Sequence, residues 1–338
     1  MVEWREANTM RLTDTIFFYR GSPTISENPR QGLYRGMGSS NFLVLKDQSQ
    51  LMVDSGFNFG PHRKRIYQEM ATDGIDITDT SQVIFSHAHP DHIQHAKFLA
   101  RAKYLKFSMH EDNELYTRNG SFHFEAYFNY PLPIKREILF LPTSLARLGF
   151  KLLGLNFDYI RADQLFASGM EIDWGGGIKI IGLPGHCTGH VGFYFPHDRL
   201  LYAADTLFES DSAYPVLPCV TNALSSLAHG LADIERISKL DIDFYVPGHG
   251  KVLAGAPVIK KVLDAARDNT LRLMENALTR LQAKRQTLSE LTHALFNGAN
   301  NSLYGFNIAI VYQVLVFLRN QGKVSVASQG RKMIWQAC

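Results

Sequence analysis

Short apolar runs, each closed by a polar or turn-forming position, recur along the first half of the chain. Thr15–Tyr19, Asn41–Leu45, Gln50–Asp54 and Gln82–Ser86 are rich in aromatic and aliphatic residues and read as strands, with Asp47-Gln48-Ser49 as a hairpin turn. From His92 to Ala102 the spacing of Ile93, Ala96, Leu99 and Ala100 becomes helical. Strands resume at Lys179–Leu183, Val191–Phe195, Leu200–Ala204 and Phe244–Val246. A helix carried by Leu224, Leu227, Leu231, Ile234 and Ile237 precedes the last of them. The fold class this predicts is α/β.

Past Gly255-Ala256-Pro257 the pattern is helical. Val258–Gln286 reads as one long amphipathic helix, and Thr287-Leu288-Ser289-Glu290 is a capping box opening a short helix through Phe296. Gly305–Asn320 is a third helix. Lys323–Ala327 and Arg331–Trp335 alternate with period two around Ser328-Gln329-Gly330, a hairpin. Residues 1–255 are therefore expected to form the main domain and 256–338 a winged-helix-like helical appendix. Residues 116–166 hold 11 Phe or Tyr, interrupted by Pro131, Pro133 and Pro142, and read as a helical, loop-like insertion acting as an aromatic lid.

Composition narrows the class. Of 338 residues, 45% are hydrophobic and 12% aromatic, which excludes a disordered chain. No apolar run approaches the roughly 20 residues of a membrane span, and the first residues lack an apolar signal core, so no membrane partner is expected. Cys187, Cys219 and Cys338 lie far apart without CxxC spacing, which fits a reducing cytoplasm and argues against a disulfide framework. From Ile259 onward there are 11 Lys or Arg against 4 Asp or Glu, although the whole chain is only +3. Such asymmetry marks either a nucleic-acid-binding module or the solvated face of helices.

The candidate chemistry begins at Ser86-His87-Ala88-His89-Pro90-Asp91-His92, where a strand meets a helix. Imidazoles suit zinc and similar divalent metals, and a carboxylate adds anionic charge. His87 and His89 flank Ala88 and point the same way on an extended backbone. His186, Asp205 and His249 each follow an apolar strand, and ligands gather at strand ends in parallel or mixed sheets. Five histidines and two aspartates exceed the needs of one tetrahedral zinc and suit two metals sharing a bridge.

HxHxDH at 87–92, followed by His186, Asp205 and His249, with Asp54 in Val53-Asp54-Ser55-Gly56, resembles the motif set of the metallo-β-lactamase-fold hydrolases over about residues 12–255. The resemblance implies a four-layer αβ/βα sandwich with two divalent metals at its edge, zinc by default and iron or manganese as alternatives. His87, His89 and His186 would hold one metal and Asp91, His92 and His249 the other, with Asp205 bridging. Asp54 would support the histidine loop, and His190 would stand behind the ligands or line the pocket. A hydroxide bridging the metals would attack a carbonyl or phosphoryl centre, with Asp91 orienting it as the catalytic residue.

Only 43 residues separate Asp205 from His249, which excludes the nuclease branch with a domain inserted there. Flavodiiron proteins place Glu at the position of His89. Glyoxalase II-like thioesterases, lactonases and lactamase-β-like proteins remain. The favoured expectation is hydrolysis of a small-molecule ester, thioester or lactone under the 116–166 lid. The alternative is a single-strand endoribonuclease whose basic C-terminal segment binds nucleic acid; a homodimer is left open. Cys187 is expected to be a small buried residue and His95 to be solvated. His110, His123, His197, His229 and His293 are left as structural or surface residues.

Overall fold

Strands of alternating large apolar residues build two facing sheets. The first holds β1 (Thr9–Arg11), β2 (Ile16–Tyr19), β3 (Phe42–Lys46), β4 (Gln50–Val53), β5 (Thr80–Phe85), β6 (Lys106–His110) and β7 (Gln164–Phe166), in that spatial order. Pairing is antiparallel from β1 to β4 and parallel from β4 to β7. The computed structural model describes residues 9–21, 39–56, 60–101, 104–138, 142–152, 160–209, 216–296, 304–330 and 332–338. Ile16, Phe18, Leu43, Leu45, Leu51 and Val53 face the second sheet. Phe17, Tyr19, Val44, Met52, Val83 and Phe85 face α1 (Gly60–Thr72) and α2 (Pro90–Leu99). With both faces covered, these strands are apolar at nearly every position.

Between β6 and β7 lie α3 (Glu111–Arg118), α4 (Gly120–Tyr127), α5 (Leu132–Ile138) and α6 (Thr143–Leu152). The expected insertion is thus helical, but its helices begin earlier, at Glu111. Residues 164–166, grouped with it by composition, are strand β7 of the first sheet.

The second sheet runs β15-β14-β11-β10-β9-β8, from β8 (Glu171–Ile172), β9 (Ile178–Gly182), β10 (Val191–Phe195), β11 (Leu200–Ala204), β14 (Phe244–Pro247) and β15 (Leu253–Ala254). A separate pair, β12 (Leu207–Glu209) with β13 (Val216–Pro218), leaves the end of β11. Leu201, Ala203 and Tyr245 turn outward onto α7 (Leu227–Ser238) and α8 (Ala256–Ala283). The layers are therefore helix, sheet, sheet, helix, the sandwich that the motif resemblance implied.

The C-terminal helices are α8, α9 (Leu288–Leu295) and α10 (Tyr304–Asn320), followed by the hairpin β16 (Val324–Gln329) and β17 (Lys332–Ala337). The capping box is present: Thr287 Oγ1 accepts from Glu290 N at 3.2 Å, and Glu290 Oε2 accepts from Thr287 N at 2.8 Å. The hairpin pairing extends to Gln329↔Lys332, so Ser328 and Gln329, expected in the turn, are strand residues. Helices and hairpin follow in the expected order, but α10 is no exposed recognition helix. Ile308, Ala309, Ile310, Val311, Val314 and Leu315 are all 1% exposed or less. All but Ala309 pack with Leu273 and Leu281 of α8, Leu288 and Leu291 of α9, Trp335 of β17 and, from the insertion, Phe124, Phe128 and Ile134. Insertion and C-terminal segment thus share one apolar core. Leu315→Ala should lower unfolding stability by about 2–5 kcal/mol, measured by chemical denaturation, because its neighbours cannot collapse into the space.

Candidate metal centre

The strands that end in polar residues all end at one edge of the sandwich. β4 and β5 run parallel and deliver Asp54 and the Ser86–His92 loop. β11 and β14 also run parallel, and β9 points the same way through its antiparallel neighbour β10. His186, Asp205 and His249 therefore follow three strand ends at that edge. Pro90 starts α2, so Asp91 and His92 lie in its first turn. Two non-glycine residues there adopt left-handed backbone, Asp54 (φ 58°) and Ala204 (φ 43°). Such strain concentrates where a side chain must be aimed.

Two groups of donor atoms result: His87, His89, His186 and Asp205, and Asp91, His92, Asp205 and His249. In the first, His89 Nδ1 is 2.9 Å from His87 Nε2 and 2.9 Å from His186 Nε2. Asp205 Oδ2 is 3.6 Å from His186 Nε2 and 3.9 Å from His87 Nε2. In the second, Asp205 Oδ1 is 3.3 Å from His92 Nε2 and 3.6 Å from His249 Nε2, and Asp91 Oδ2 is 3.1 Å from His249 Nε2. His249 is the opening to solvent, its side chain 41% exposed against 0% for His92.

Hydrogen bonds fix which nitrogens are bare. Ser86 Oγ donates to Asp54 Oδ2 at 2.7 Å, so it can only accept from His87 Nδ1, at 3.0 Å. His186 Nδ1 donates to the Cys219 carbonyl at 2.7 Å, and His92 Nδ1 to Asp54 Oδ2 at 2.6 Å. The Nε2 atoms of His87, His186 and His92 are then lone pairs facing other lone pairs. His92 Nε2 and Asp205 Oδ1 are buried with no hydrogen-bond partner. Lone pairs converging in a buried pocket fit divalent cations, and hydrogen bonds behind imidazole ligands are how such sites orient them. Gly248 leaves the room: a Cβ there would stand 2.1 Å from Asp205 Oδ1.

Electrostatics follow the same division. Burial, with neighbouring imidazoles, holds His87 and His89 well below the ordinary histidine value, so both are neutral. Burial also disfavours charge on His92, but the carboxylates of Asp205, Asp54 and Asp91 override it and raise it well above that value. His249 is raised to about 9, Asp205 and Asp91 again outweighing desolvation. Burial opposes charge on Asp205, but His249 and His92 hold it well below the usual carboxylate range.

Residues behind the donors complete the site. Asp54 lies behind the histidine loop, with Oδ1 accepting from Ser86 N at 2.8 Å. His190 donates from Nδ1 to the Leu183 carbonyl at 2.7 Å and accepts the Asp205 N–H on Nε2 at 3.1 Å, which orients the aspartate's backbone. Cys187 is buried. His95, expected to be solvated, is instead buried, with its ring nitrogens 2.8 Å from Tyr67 Oη and 3.1 Å from the Ser55 carbonyl. His123 is no surface residue either: it is buried and stacks on His89 at 5.8 Å, while Tyr127 stands edge-on to His89 at 5.1 Å. Only the aromatic density of the insertion hinted at this wall. Asn41, also unforeseen, donates from Nδ2 to the Pro247 and Gly250 carbonyls at 2.9 and 3.1 Å and so holds the His249 turn.

A four-layer sandwich with paired histidine–carboxylate clusters at its edge defines a class of metal-dependent hydrolases. The sequence model of the metallo-beta-lactamase superfamily matches residues 34–249, and the chain belongs to that superfamily. It is 23% identical over 273 residues to the "Probable metallo-hydrolase YqjP" of Bacillus subtilis, covering 75% of this chain and 79% of that protein. A 47-residue stretch is 45% identical to a hydroxyacylglutathione hydrolase of Rhizobium meliloti, 14% of this chain and 18% of that one. The crystal structure of a metallo-beta-lactamase family protein from Thermus thermophilus superposes with a TM-score of 0.75 at 18% identity, covering 97% of this chain and all (100%) of that one.

Two outcomes follow. In metal-free protein near pH 7.5, protons occupy His92 and His249, so adding zinc should release about one to two protons, read by calorimetry in buffers of different ionisation enthalpy; no release would contradict the donor assignment. Buried neutral His95, His123 and His190 are held at about 4, 3 and 3, below the 6.5 of the unfolded chain. At these three residues the unfolded state binds more protons below about pH 6.5, so their contribution to the stability of metal-free protein should be full above it and fall progressively toward pH 4. Urea midpoints at pH 7.5, 6 and 5 check this.

Proposed function

We propose that the protein hydrolyses a small-molecule ester, thioester or lactone with two divalent ions, zinc by default. His87, His89 and His186 would hold one ion, Asp91, His92 and His249 the other, and Asp205 would join them. The observation that carries this reading is the carboxylate of Asp205, whose Oδ2 faces His186 and His87 while Oδ1 faces His92 and His249. When bound, such a pair supplies Lewis acidity toward a carbonyl oxygen and an ionised water at neutral pH.

The chain's own residues supply the rest. Neutral His87 and His89 offer lone pairs without first losing a proton. Asp91 presents Oδ2 to His92 and His249 at 3.8 and 3.1 Å, and its carboxylate would orient the attacking water. Tyr127 and His123 wall the His89 side, and burial keeps the Tyr127 hydroxyl protonated, a donor beside the reacting centre. An acyl or aromatic group fits against such a wall, and the local likeness to a hydroxyacylglutathione hydrolase supports a thioester among the candidates. Cys187 and Cys219 are buried free thiols and Cys338 an exposed one, in keeping with a cytoplasmic location.

The nucleic-acid reading draws less support. On α8, Lys260 pairs with Asp264, and Arg267 with Asp264 and Asp268, in exposed ion pairs along one helix face. With α10 buried, the basic residues of this segment fit a solvated surface better than a phosphate track.

Initial rates on metal-quantified protein with a thioester, an acyl lactone, an aryl ester, a phosphodiester and single-stranded RNA test the reading. Chelator-sensitive turnover of a carbonyl substrate is expected, and salt-sensitive cleavage of RNA alone would overturn it. His89→Ala or Asp205→Ala should reduce turnover at least a hundredfold, as expected when a preorganised charge-stabilising group is removed, and lower bound metal; full activity in either would refute the site.

A further inference from the structure

Gln313 is out of place by composition. It lies in the middle of α10 among Ile310, Val311, Val314 and Leu315, and is itself only 6% exposed. Burying a primary amide among aliphatic side chains is unfavourable unless it is hydrogen-bonded. Its Nε2 donates to the backbone carbonyl of Asn222 at 3.2 Å, 91 positions away in sequence.

Asn222 belongs to the buried loop after β13 that cradles His186. Its Nδ2 donates to the His186 carbonyl at 3.1 Å, and Ser225 Oγ donates to the same oxygen at 2.6 Å. The Cys219 carbonyl accepts from His186 Nδ1, and Ser226 N donates to the Gly185 carbonyl at 2.9 Å. His186 is thus held from both its ring and its backbone by one short loop. That loop is tied to the insertion by Ala223 N donating to the Tyr127 carbonyl at 3.0 Å. Val220 packs in the core it shares with the C-terminal helices, and among the described residues the loop's polar tie to those helices is the Gln313 amide.

We infer that Gln313 is a positioning residue for the three-histidine donor set, acting through Asn222 on His186, so that the C-terminal helix bundle holds the metal centre in shape. This rests on the metal-ligand reading proposed above. The apolar environment makes the inference sharp. A methionine at 313 keeps length and volume and relieves the buried amide, so packing alone predicts little or no loss of stability. The relay predicts instead a loosened His186.

The experiment compares Gln313→Met with Leu315→Ala, a packing variant on the same helix with no polar tie to the loop. Each is measured for metal-free thermal stability, zinc retention against a graded chelator, and the visible spectrum after cobalt(II) substitution. In Gln313→Met, zinc should be lost at about tenfold lower chelator concentration and the cobalt bands should shift, an effect on the scale of disturbed support behind a metal ligand. Leu315→Ala should retain both despite its greater instability. Unchanged retention and spectrum in Gln313→Met overturn the relay, as does equal loosening in Leu315→Ala, which would make the effect one of general packing. A parent protein that takes up neither zinc nor cobalt sinks the metal reading itself and the relay with it. A parent that binds metal while Gln313→Met holds it as tightly sinks only the relay.

Discussion

The carboxylate of Asp54 is wholly buried where the two sheets meet at the site. Its Oδ2 accepts from Ser86 Oγ, from His92 Nδ1 at 2.6 Å and from Tyr202 Oη at 2.7 Å, while Oδ1 accepts from Ser86 N. One anion therefore links β4, the loop after β5 and β11. It fixes the tautomer of His92 directly and that of His87 through Ser86. A buried anion is costly unless its oxygens are satisfied, and here the bonds from His92 and Ser86 also aim metal-type donors. Leaving those partners unmatched would cost about 1–3 kcal/mol for each one, so the left-handed backbone at Asp54 is strain the site can carry.

From this anchor the donors are arranged so that lone pairs oppose lone pairs. Without cations the pocket resolves the conflict with protons on His92 and His249, while burial keeps His87 and His89 neutral. The two clusters therefore differ in character although they share Asp205. The three-histidine set is a dry, neutral cradle. The set with His249 pairs two carboxylates with two protonated imidazoles and opens to solvent at His249.

The remainder of the chain is organised around that opening. The insertion between β6 and β7 and the helices after β15 lie far apart in sequence, yet they bury their side chains in one common core. Tyr127 and His123 on the insertion wall the His89 side, and the loop from Cys219 to Ser226 connects this wall and α10 to His186. Insertion and C-terminal bundle are in this respect one body, which makes the geometry around His89 and His186 depend on the folding of segments that contribute no metal-type donor.

Local sequence determined the central strands β2 to β5, β9 to β11 and β14, because apolar residues on both faces of a covered sheet leave uninterrupted runs, and the capped helix at Thr287, but not β1, β6, β7 and β8. The His87–His92 cluster was legible because its residues are neighbours in the chain, and strand-end positions marked His186, Asp205 and His249 before any fold was known. Helix α1 was not visible: among its described side chains only Ile66 and Met70 are buried, too sparse for a periodic signal. His95 was misread, and His123 left undecided between structure and surface, since burial depends on what packs against a helix, not on the helix itself. Asn41, Asn222 and Gln313 carried no signal at all, because a polar residue's role lies in its partner, and those partners are 206, 36 and 91 positions away. Sequence determined which groups could bind a cation; only the tertiary structure decided their tautomers and which distant amides hold them, since hydrogen bonds between remote segments leave no periodicity to read.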